Sequence, residues 1–190
     1  VAIGPDSHGG IRTFVLDATS GVPTEAAGSP LLTDQVRGGG LALHPSGKFL
    51  YVGSFNLRGF LVDEETGALT ALPGFPLPGG NSDSTALDVA VAPSGRYLYA
   101  TDFAGSLYGY AIDAATGALT AVPGSPFDGR PDPYSVAVDP GGRFVYLGND
   151  DANLVSAFSL DPATGALAPT AGSPFTVNGL QPELALAPAR

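Results

Sequence analysis

One stretch of sequence decides the fold, because it returns at a fixed interval. The segment LHPSGKFLYV, residues 43–52, recurs as VAPSGRYLYA, residues 91–100, and as VDPGGRFVYL, residues 138–147. A fourth copy begins at residue 186, and the prolines of the four copies are 48, 47 and 48 residues apart. Self-similarity at such a period indicates a repeat architecture.

A second marker recurs beside the first. Each repeat carries Asp-x-x-Thr-Gly, or Asp-x-x-Ser-Gly in the first repeat, and its members are Asp17, Asp63, Asp113 and Asp161 with the glycines four residues later. Nine residues after each glycine comes a proline, at positions 30, 76, 126 and 174. An aspartate that caps backbone amides, followed by a glycine in the left-handed conformation, is typical of a tight turn.

Each repeat is predicted to hold four short strands, named A to D in chain order. Strand A is apolar on both faces, as in Val89-Ala90-Val91, which predicts burial on both sides. Strand B carries alternating aromatic residues such as Tyr97 and Tyr99. Strand C ends at the repeated aspartate, and strand D follows the glycine. The fold class is therefore all-β: a β-propeller of four-stranded antiparallel blades, in four repeats of about 48 residues. A linear β-solenoid is the alternative.

We expect residues 1–190 to form one propeller domain or part of one. The predicted repeats are 1–43 completed by a C-terminal strand at 183–187, then 44–91, 92–138 and 139–187. Three arrangements fit: a closed four-bladed ring, half of an eight-bladed homodimer, or a fragment of a longer propeller.

Composition excludes several classes of function. The formal net charge is −10 and the eight basic residues are scattered, which argues against binding nucleic acid. No run of eighteen apolar residues occurs, so no membrane-spanning segment is expected. The chain has no cysteine, which excludes disulfides, thiolate nucleophiles and cysteine–zinc sites. We find no cofactor fingerprint and expect neither cofactor nor metal.

Loop lengths point to one face of the propeller as the site. The A–B and C–D turns share one face and are constant in length, whereas the B–C and D–A loops share the other face and vary. Variable loops on a rigid scaffold usually carry function. We therefore expect ligands to bind at this second face, which carries eight acidic residues and three arginines. The candidate ligand-binding residues are Arg37, Asp88, Arg130, Asp132, Tyr134 and Glu183. An alternative role for Asp88 and Glu183 is simply to cap loop amides.

The repeat resembles a known family. The run Pro-Ser-Gly-Lys-Phe-Leu-Tyr-Val, the Asp-x-x-Thr-Gly-x-Leu turn and the Gly-Ser-Pro-Phe segment are similar to YVTN-repeat and lactonase-type (6-phosphogluconolactonase-like) propellers. The resemblance implies a seven-bladed ring in a chain of about twice this length. It also implies a catalytic histidine just before strand A. The corresponding residues here are Gly39, Leu87, Tyr134 and Pro182, so the sequence nominates no catalytic residue.

Two functions follow from these observations. The first is a non-catalytic binding or structural propeller, whose acidic loop face meets a protein or saccharide partner. An extracellular or periplasmic location would suit it. The alternative is a lactone hydrolase, or a fragment of one. The strict regularity of the repeats favours the first, and convergence of the candidate residues on one pocket would favour the second.

Overall fold

The chain forms four antiparallel sheets, one for each sequence repeat. The computed structural model describes residues 2–5, 10–32, 39–54, 56–78, 86–102, 104–129, 133–149 and 153–177, together with Leu184 and Leu186. These residues form nineteen strands and no helix. In the same part of the chain, nothing helical is long and apolar enough to cross a membrane. The predicted all-β propeller architecture is confirmed.

Each sheet is a blade whose strands follow chain order. Blade 1 contains β1 (Ala2–Pro5), β2 (Gly10–Leu16), β3 (Pro23–Glu25) and β4 (Leu31–Leu32). Blade 2 contains β5 (Leu41–Leu43), β6 (Phe49–Val52), β7 (Asn56–Val62), β8 (Leu69–Ala71) and β9 (Leu77–Pro78). Blade 3 contains β10 (Ala86–Val91), β11 (Tyr97–Asp102), β12 (Ser106–Ile112), β13 (Leu119–Ala121) and β14 (Phe127–Asp128). Blade 4 contains β15 (Pro133–Val138), β16 (Phe144–Asn149), β17 (Leu154–Leu160), β18 (Leu167–Pro169) and β19 (Phe175–Thr176).

Three hydrophobic cores lie between consecutive blades rather than within them. Between blades 1 and 2, Ile11 packs with Leu50 and Phe60. The core between blades 2 and 3 includes Tyr51 and Leu98, and a third core joins blades 3 and 4. Because blades 2 and 3 are covered on both faces, their strand A can be apolar throughout, as the sequence predicts.

Strand D departs from the sequence prediction, because it is two short strands rather than one. In blade 3, β13 pairs with the C-terminal part of β12 and β14 pairs with its N-terminal part. Between them the chain bulges at the cis peptide Ser125-Pro126. The other three blades have a cis peptide at the same place, before the proline that lies nine residues after the turn glycine. The Ser125 hydroxyl oxygen accepts the Gly109 amide at 3.0 Å, so a side chain replaces the interrupted backbone ladder.

The same replacement recurs in two other blades. The Thr13 amide donates to Ser29 Oγ at 3.2 Å, and the Ala157 amide donates to Ser173 Oγ at 2.9 Å. Blade 2 has Phe75 at this position, and its ring packs against Gly59. The bulge is therefore common to all four blades, although one of them fills it with an aromatic ring instead of a hydroxyl.

The four sheets do not close on themselves through the described residues. Gly21, in the turn of blade 1, has no atom within 4 Å of the position where a Cβ would lie. The equivalent Gly117 and Gly165 lie against aromatic rings of the preceding blade. The choice among the three predicted arrangements stays a prediction. The predicted completing strand at 183–187 lies outside the described residues, apart from Leu184 and Leu186.

Candidate functional site

The turn rim, formed by the A–B and C–D turns, is built for structure. In blade 3 the Asp113 carboxylate accepts the Ala115 and Thr116 amides at 3.0 and 2.8 Å, as well as the Thr116 hydroxyl. These hydrogen bonds favour the charged form and lower the pKa of Asp113. The pKa of the equivalent aspartate is lowered in every blade, at Asp17, Asp63, Asp113 and Asp161. The predicted capping aspartates are confirmed.

His44 also belongs to the turn rim and serves the contact between blades. Its Nδ1 accepts the Ser46 amide at 3.1 Å, which leaves Nε2 as the donor to the Gly95 carbonyl at 2.9 Å. Gly95 lies in the A–B turn of the next blade. The ring also meets Phe49 edge-on, with centroids 5.7 Å apart. These contacts give His44 a structural role between blades 2 and 3.

The loop rim, formed where strand A begins and strand B ends, contains β-bulges. In blade 3, Ala86 pairs with Asp102 and Val89 pairs with Ala100. The two residues between Ala86 and Val89 therefore lie opposite the single residue between Ala100 and Asp102. Blade 4 has the same irregularity, between Pro133 and Ser135. Bulges of this kind redirect side chains and are frequent beside active sites. They fall at the positions immediately before strand A, where the family resemblance places catalytic groups.

Asp88 lies in the blade 3 bulge and links three blades. Its Oδ2 accepts the Val136 amide of blade 4 at 2.9 Å, and its Oδ1 accepts its own neighbour's amide. On the other side, a Cβ added to Gly40 of blade 2 would lie 1.9 Å from Asp88 Oδ1. Only a glycine leaves room for the carboxylate there. These contacts match the amide-capping role, and a ligand-binding role for Asp88 stays a prediction.

Tyr134 is the more exposed of the two candidates that the structure describes, the other being Asp88. It is 37% exposed, although Pro133 and Ser135 on either side are buried. The bulge therefore coincides with an exposed aromatic residue that carries a hydroxyl. The remaining candidates, Arg37, Arg130, Asp132 and Glu183, lie outside the described residues.

Sequence reasoning missed a layer of buried polar side chains beneath the loop rim. The fully buried Asp102 carboxylate accepts the Ser106 amide at 2.8 Å and the Tyr108 hydroxyl at 3.1 Å. Burial and the nearby carboxylate raise the pKa of Tyr108. Fully buried Asn149 donates to the Gly129 carbonyl at 2.9 Å, which joins the end of strand B in blade 4 to the D–A loop of blade 3.

A sequence signal for this layer exists. Its members lie three residues after the repeated strand-B tyrosines, and they are Ser54, Asp102 and Asn149. A polar residue at one fixed position of an otherwise apolar strand indicates a buried hydrogen-bonding role. The hydrogen bonds of this layer fix the ends of the loops that leave strand B, and so they support the geometry of the loop rim.

The described residues also contain a cleft of about 290 Å³. It lies between the outer strands of blades 3 and 4, and its lining includes Phe127, Phe158 and Pro169. No group of three or more acidic or histidine side chains in the described residues could hold a metal ion. The polar side chains of the cleft are Asp128 and Ser173, and the Ser173 hydroxyl oxygen already accepts the Ala157 amide. The loop rim therefore remains the candidate site.

Comparisons with known proteins agree with the observed fold. Residues 11–179 match the family described as lactonase, 7-bladed β-propeller. No curated protein matches the chain. A Bacteroides uniformis protein provisionally described as a 6-phosphogluconolactonase is similar in structure, with a TM-score of 0.74 and 20% identity over 90% of this chain and 50% of that one. A periplasmic gluconolactonase of Pseudomonas aeruginosa has a TM-score of 0.71 and 24% identity over 90% and 51%. The chain spans about half the length of these relatives.

Proposed function

Because the chain belongs to the lactonase family of seven-bladed β-propellers, we propose that it forms part of a propeller that hydrolyses a lactone at the loop rim. The observation that carries the proposal is the family match over residues 11–179, which spans all four repeats. This match favours the lactone hydrolase, our alternative from the sequence, over the non-catalytic binding propeller. The names of the structural neighbours suggest a sugar lactone such as 6-phosphogluconolactone as substrate.

The chemistry defines what the loop rim must supply. Water adds to the acyl carbon, the ring C–O bond breaks, and the proton of the water passes to the departing alkoxide to give a hydroxy acid. One group must stabilise the negative charge that develops on the carbonyl oxygen, and another must accept the proton of the water. The candidate residues contain groups of both kinds.

We assign these roles as follows. The Tyr134 hydroxyl, exposed at the bulge, would donate to the carbonyl oxygen. Arg37 and Arg130 would bind the anionic end of a sugar phosphate, for which guanidinium groups are well suited. Asp132 or Glu183 would accept the proton of the water. These assignments follow from residue chemistry and from positions in the predicted D–A loops.

The negative net charge of the chain gives a reason for arginines at a site that binds an anionic substrate. The net charge of −10 repels an anionic substrate over the surface as a whole. A phosphorylated lactone would therefore need local positive charge at its site. An uncharged sugar lactone would not need it, so removal of Arg37 or Arg130 should weaken the reaction of a phosphorylated substrate more strongly.

One observation keeps the binding propeller as a second candidate. None of the four residues just before strand A is a histidine, although the family resemblance implies one there. A protein or saccharide partner would then occupy the loop rim without being transformed. The location outside the cell that we expect from the sequence would suit either function.

Lactone hydrolysis measured by acid release at constant pH tests the proposal. The substrates are 6-phosphogluconolactone and gluconolactone, each corrected for spontaneous hydrolysis. We expect acceleration by the chain, a loss of tenfold or more in Arg130→Ala and Tyr134→Phe, and little change in Lys48→Ala, a control on the turn rim. A rate equal to the spontaneous one for both substrates would overturn the hydrolase and favour the binding propeller.

A further inference from the structure

Thr101, near the end of strand B in blade 3, carries a buried hydroxyl. The residue is 0% exposed, and its Oγ1 has no hydrogen-bond partner among the residues that the structure describes. An unsatisfied buried hydroxyl is costly, and native proteins pair nearly all such atoms with protein groups or ordered water. The Thr101 hydroxyl therefore indicates a binding position for a molecule that is not part of the chain.

The Thr101 side chain faces blade 4. Thr101 pairs with Leu107 across the sheet, and Leu107 belongs to the core between blades 3 and 4. Tyr99, two residues before Thr101 on the same strand, belongs to that core as well. Because alternate residues of a strand share a face, Thr101 continues this core toward the loop rim. Its hydroxyl thus lies where blades 3 and 4 meet.

Asp88 lies across from Thr101 on the neighbouring strand. The bulge of blade 3 places two residues opposite Thr101, and one of them is Asp88. The Asp88 carboxylate also faces blade 4, since its Oδ2 accepts the Val136 amide at 2.9 Å. Side chains that oppose each other on paired strands have Cβ atoms about 5 Å apart. One water molecule can bridge a hydroxyl and a carboxylate at such a separation.

The carboxylate and the hydroxyl occur together in blade 3 and are both missing from blade 2. Their counterparts there, 48 residues earlier, are Gly40 and Gly53. A Cβ added to Gly39 would overlap the Gly53 carbonyl oxygen, so strands A and B of blade 2 leave no space between them. The counterpart of Thr101 in blade 4 is Gly148. The blade repeat therefore does not itself require a polar side chain at the position of Thr101.

We propose that Thr101 and Asp88 bind one water molecule in the bulge of blade 3, at its interface with blade 4. The Thr101 hydroxyl donates to the water, and the water donates to the Asp88 carboxylate. Each carboxylate oxygen can accept two hydrogen bonds, so Asp88 can bind the water and still accept the Val89 and Val136 amides. Because a bulge interrupts the backbone ladder, peptide groups beside it can supply the third hydrogen bond that a buried water usually makes.

The bound water adds a support beneath the loop rim. It fixes the Asp88 carboxylate, and that carboxylate binds the amide of Val136, two residues after the exposed Tyr134. A chain of hydrogen bonds would thus run from strand B of blade 3 to the bulge of blade 4. This inference does not depend on the proposed lactone hydrolysis, because stability and electron density test it rather than activity.

Thr101→Val tests the site, because valine keeps the shape of threonine and removes only the hydroxyl. A hydroxyl that binds water stabilises the fold, so the unfolding equilibrium constant of the variant in urea titrations should rise by about fivefold. Thr120→Val is the matched control, since Thr120 is an exposed residue of β13. It should change that constant by less than about twofold. A Thr101→Val chain as stable as wild type, or more stable, would overturn the proposal.

A double-mutant cycle tests whether Asp88 shares the water with Thr101. Asp88→Ala removes the acceptor, and the double variant removes both partners. If one water joins the two side chains, the double variant loses less stability than the sum of the two single losses. Losses that simply add would show that Asp88 does not bind the same molecule, which contradicts the proposed bridge.

A high-resolution crystal structure of the wild-type protein locates the molecule directly. We expect a water within hydrogen-bond distance of Thr101 Oγ1 and of one Asp88 oxygen, and none there in Thr101→Val. Wild-type density without a water at this position would refute the site. Density that appears only after gluconolactone is added would refute it too, because the Thr101 hydroxyl would then bind a ligand of the loop rim.

Discussion

Removal of the Tyr99 hydroxyl should show how much its hydrogen bond to the next blade contributes to the free energy of unfolding. Tyr99 is fully buried, and its hydroxyl lies 2.7 Å from the Gly165 carbonyl oxygen. Tyr99→Phe keeps the ring and leaves that carbonyl without its partner. A buried acceptor left unsatisfied costs about 1–3 kcal/mol. For a domain of this length each kcal/mol lowers Tm by roughly 2–4 °C, so we expect Tm to fall by about 4–8 °C for a cost near 2 kcal/mol.

Urea unfolding followed by circular dichroism gives the free energy of unfolding for wild type and variant. Tyr134→Phe is the control, because the Tyr134 hydroxyl lies at the exposed loop rim, and it should change stability by less than about 0.5 kcal/mol. If Tyr99→Phe were as stable as this control, the hydroxyl bond would contribute nothing. The repeated tyrosine would then act through its ring alone.

Three further changes test other contacts. His44→Ala removes the Nε2 hydrogen bond to the next blade and should lower the free energy of unfolding by about 1–2 kcal/mol in urea titrations. Asp88→Ala leaves a backbone amide of blade 4 unpaired and should cost about 1–3 kcal/mol, whereas Asp88→Asn should recover part of the loss. The pKa of Asp113 is lower in the folded protein than in the unfolded chain. Its stabilising effect is therefore complete above the unfolded pKa and is lost as pH falls through the folded pKa. Between pH 5 and 3 the urea midpoint of Asp113→Asn should fall less than that of wild type.

Alkaline pH should unfold the protein cooperatively. Burial raises the pKa of Tyr51 and Tyr99 well above the ordinary value near 10. A raised folded pKa means that stability is complete below the unfolded value and declines as pH rises beyond it. Absorbance at 295 nm should therefore rise together with the loss of circular dichroism. Ionisation of all tyrosines before any unfolding would contradict their burial.

Turn chemistry was the most predictable part of the fold, because it depends on neighbouring residues alone. Asp113 caps the amides of its own turn, and Gly117 has a φ of 72°, as the recurring pattern predicted. The two-sided burial of strand A was equally readable, since Val89-Ala90-Val91 has no polar face. These features need no knowledge of the distant chain.

Contacts between repeats were harder to predict. Nothing local to Ser125 shows that its hydroxyl completes the backbone ladder of strand C, because the partner lies 16 residues away. Asp88 was identified, but its bond to Val136, 48 residues on, depends on how two blades meet. The strict repetition also favoured a binding scaffold over a hydrolase. Most of the sequence consists of residues that build the blades, so residues of a site do not stand out from the repeat.

The broken outer strand has a consequence for how this chain avoids its own copies. Four nearly identical repeats invite wrong pairings, and an exposed strand edge is a template for joining another chain. Here the outermost edge of blade 3 offers only three residues in β13 and two in β14, separated by the bulge. Neither piece is long enough to recruit a foreign strand. Edges that are short and interrupted in this way make edge-to-edge joining of blades less favourable.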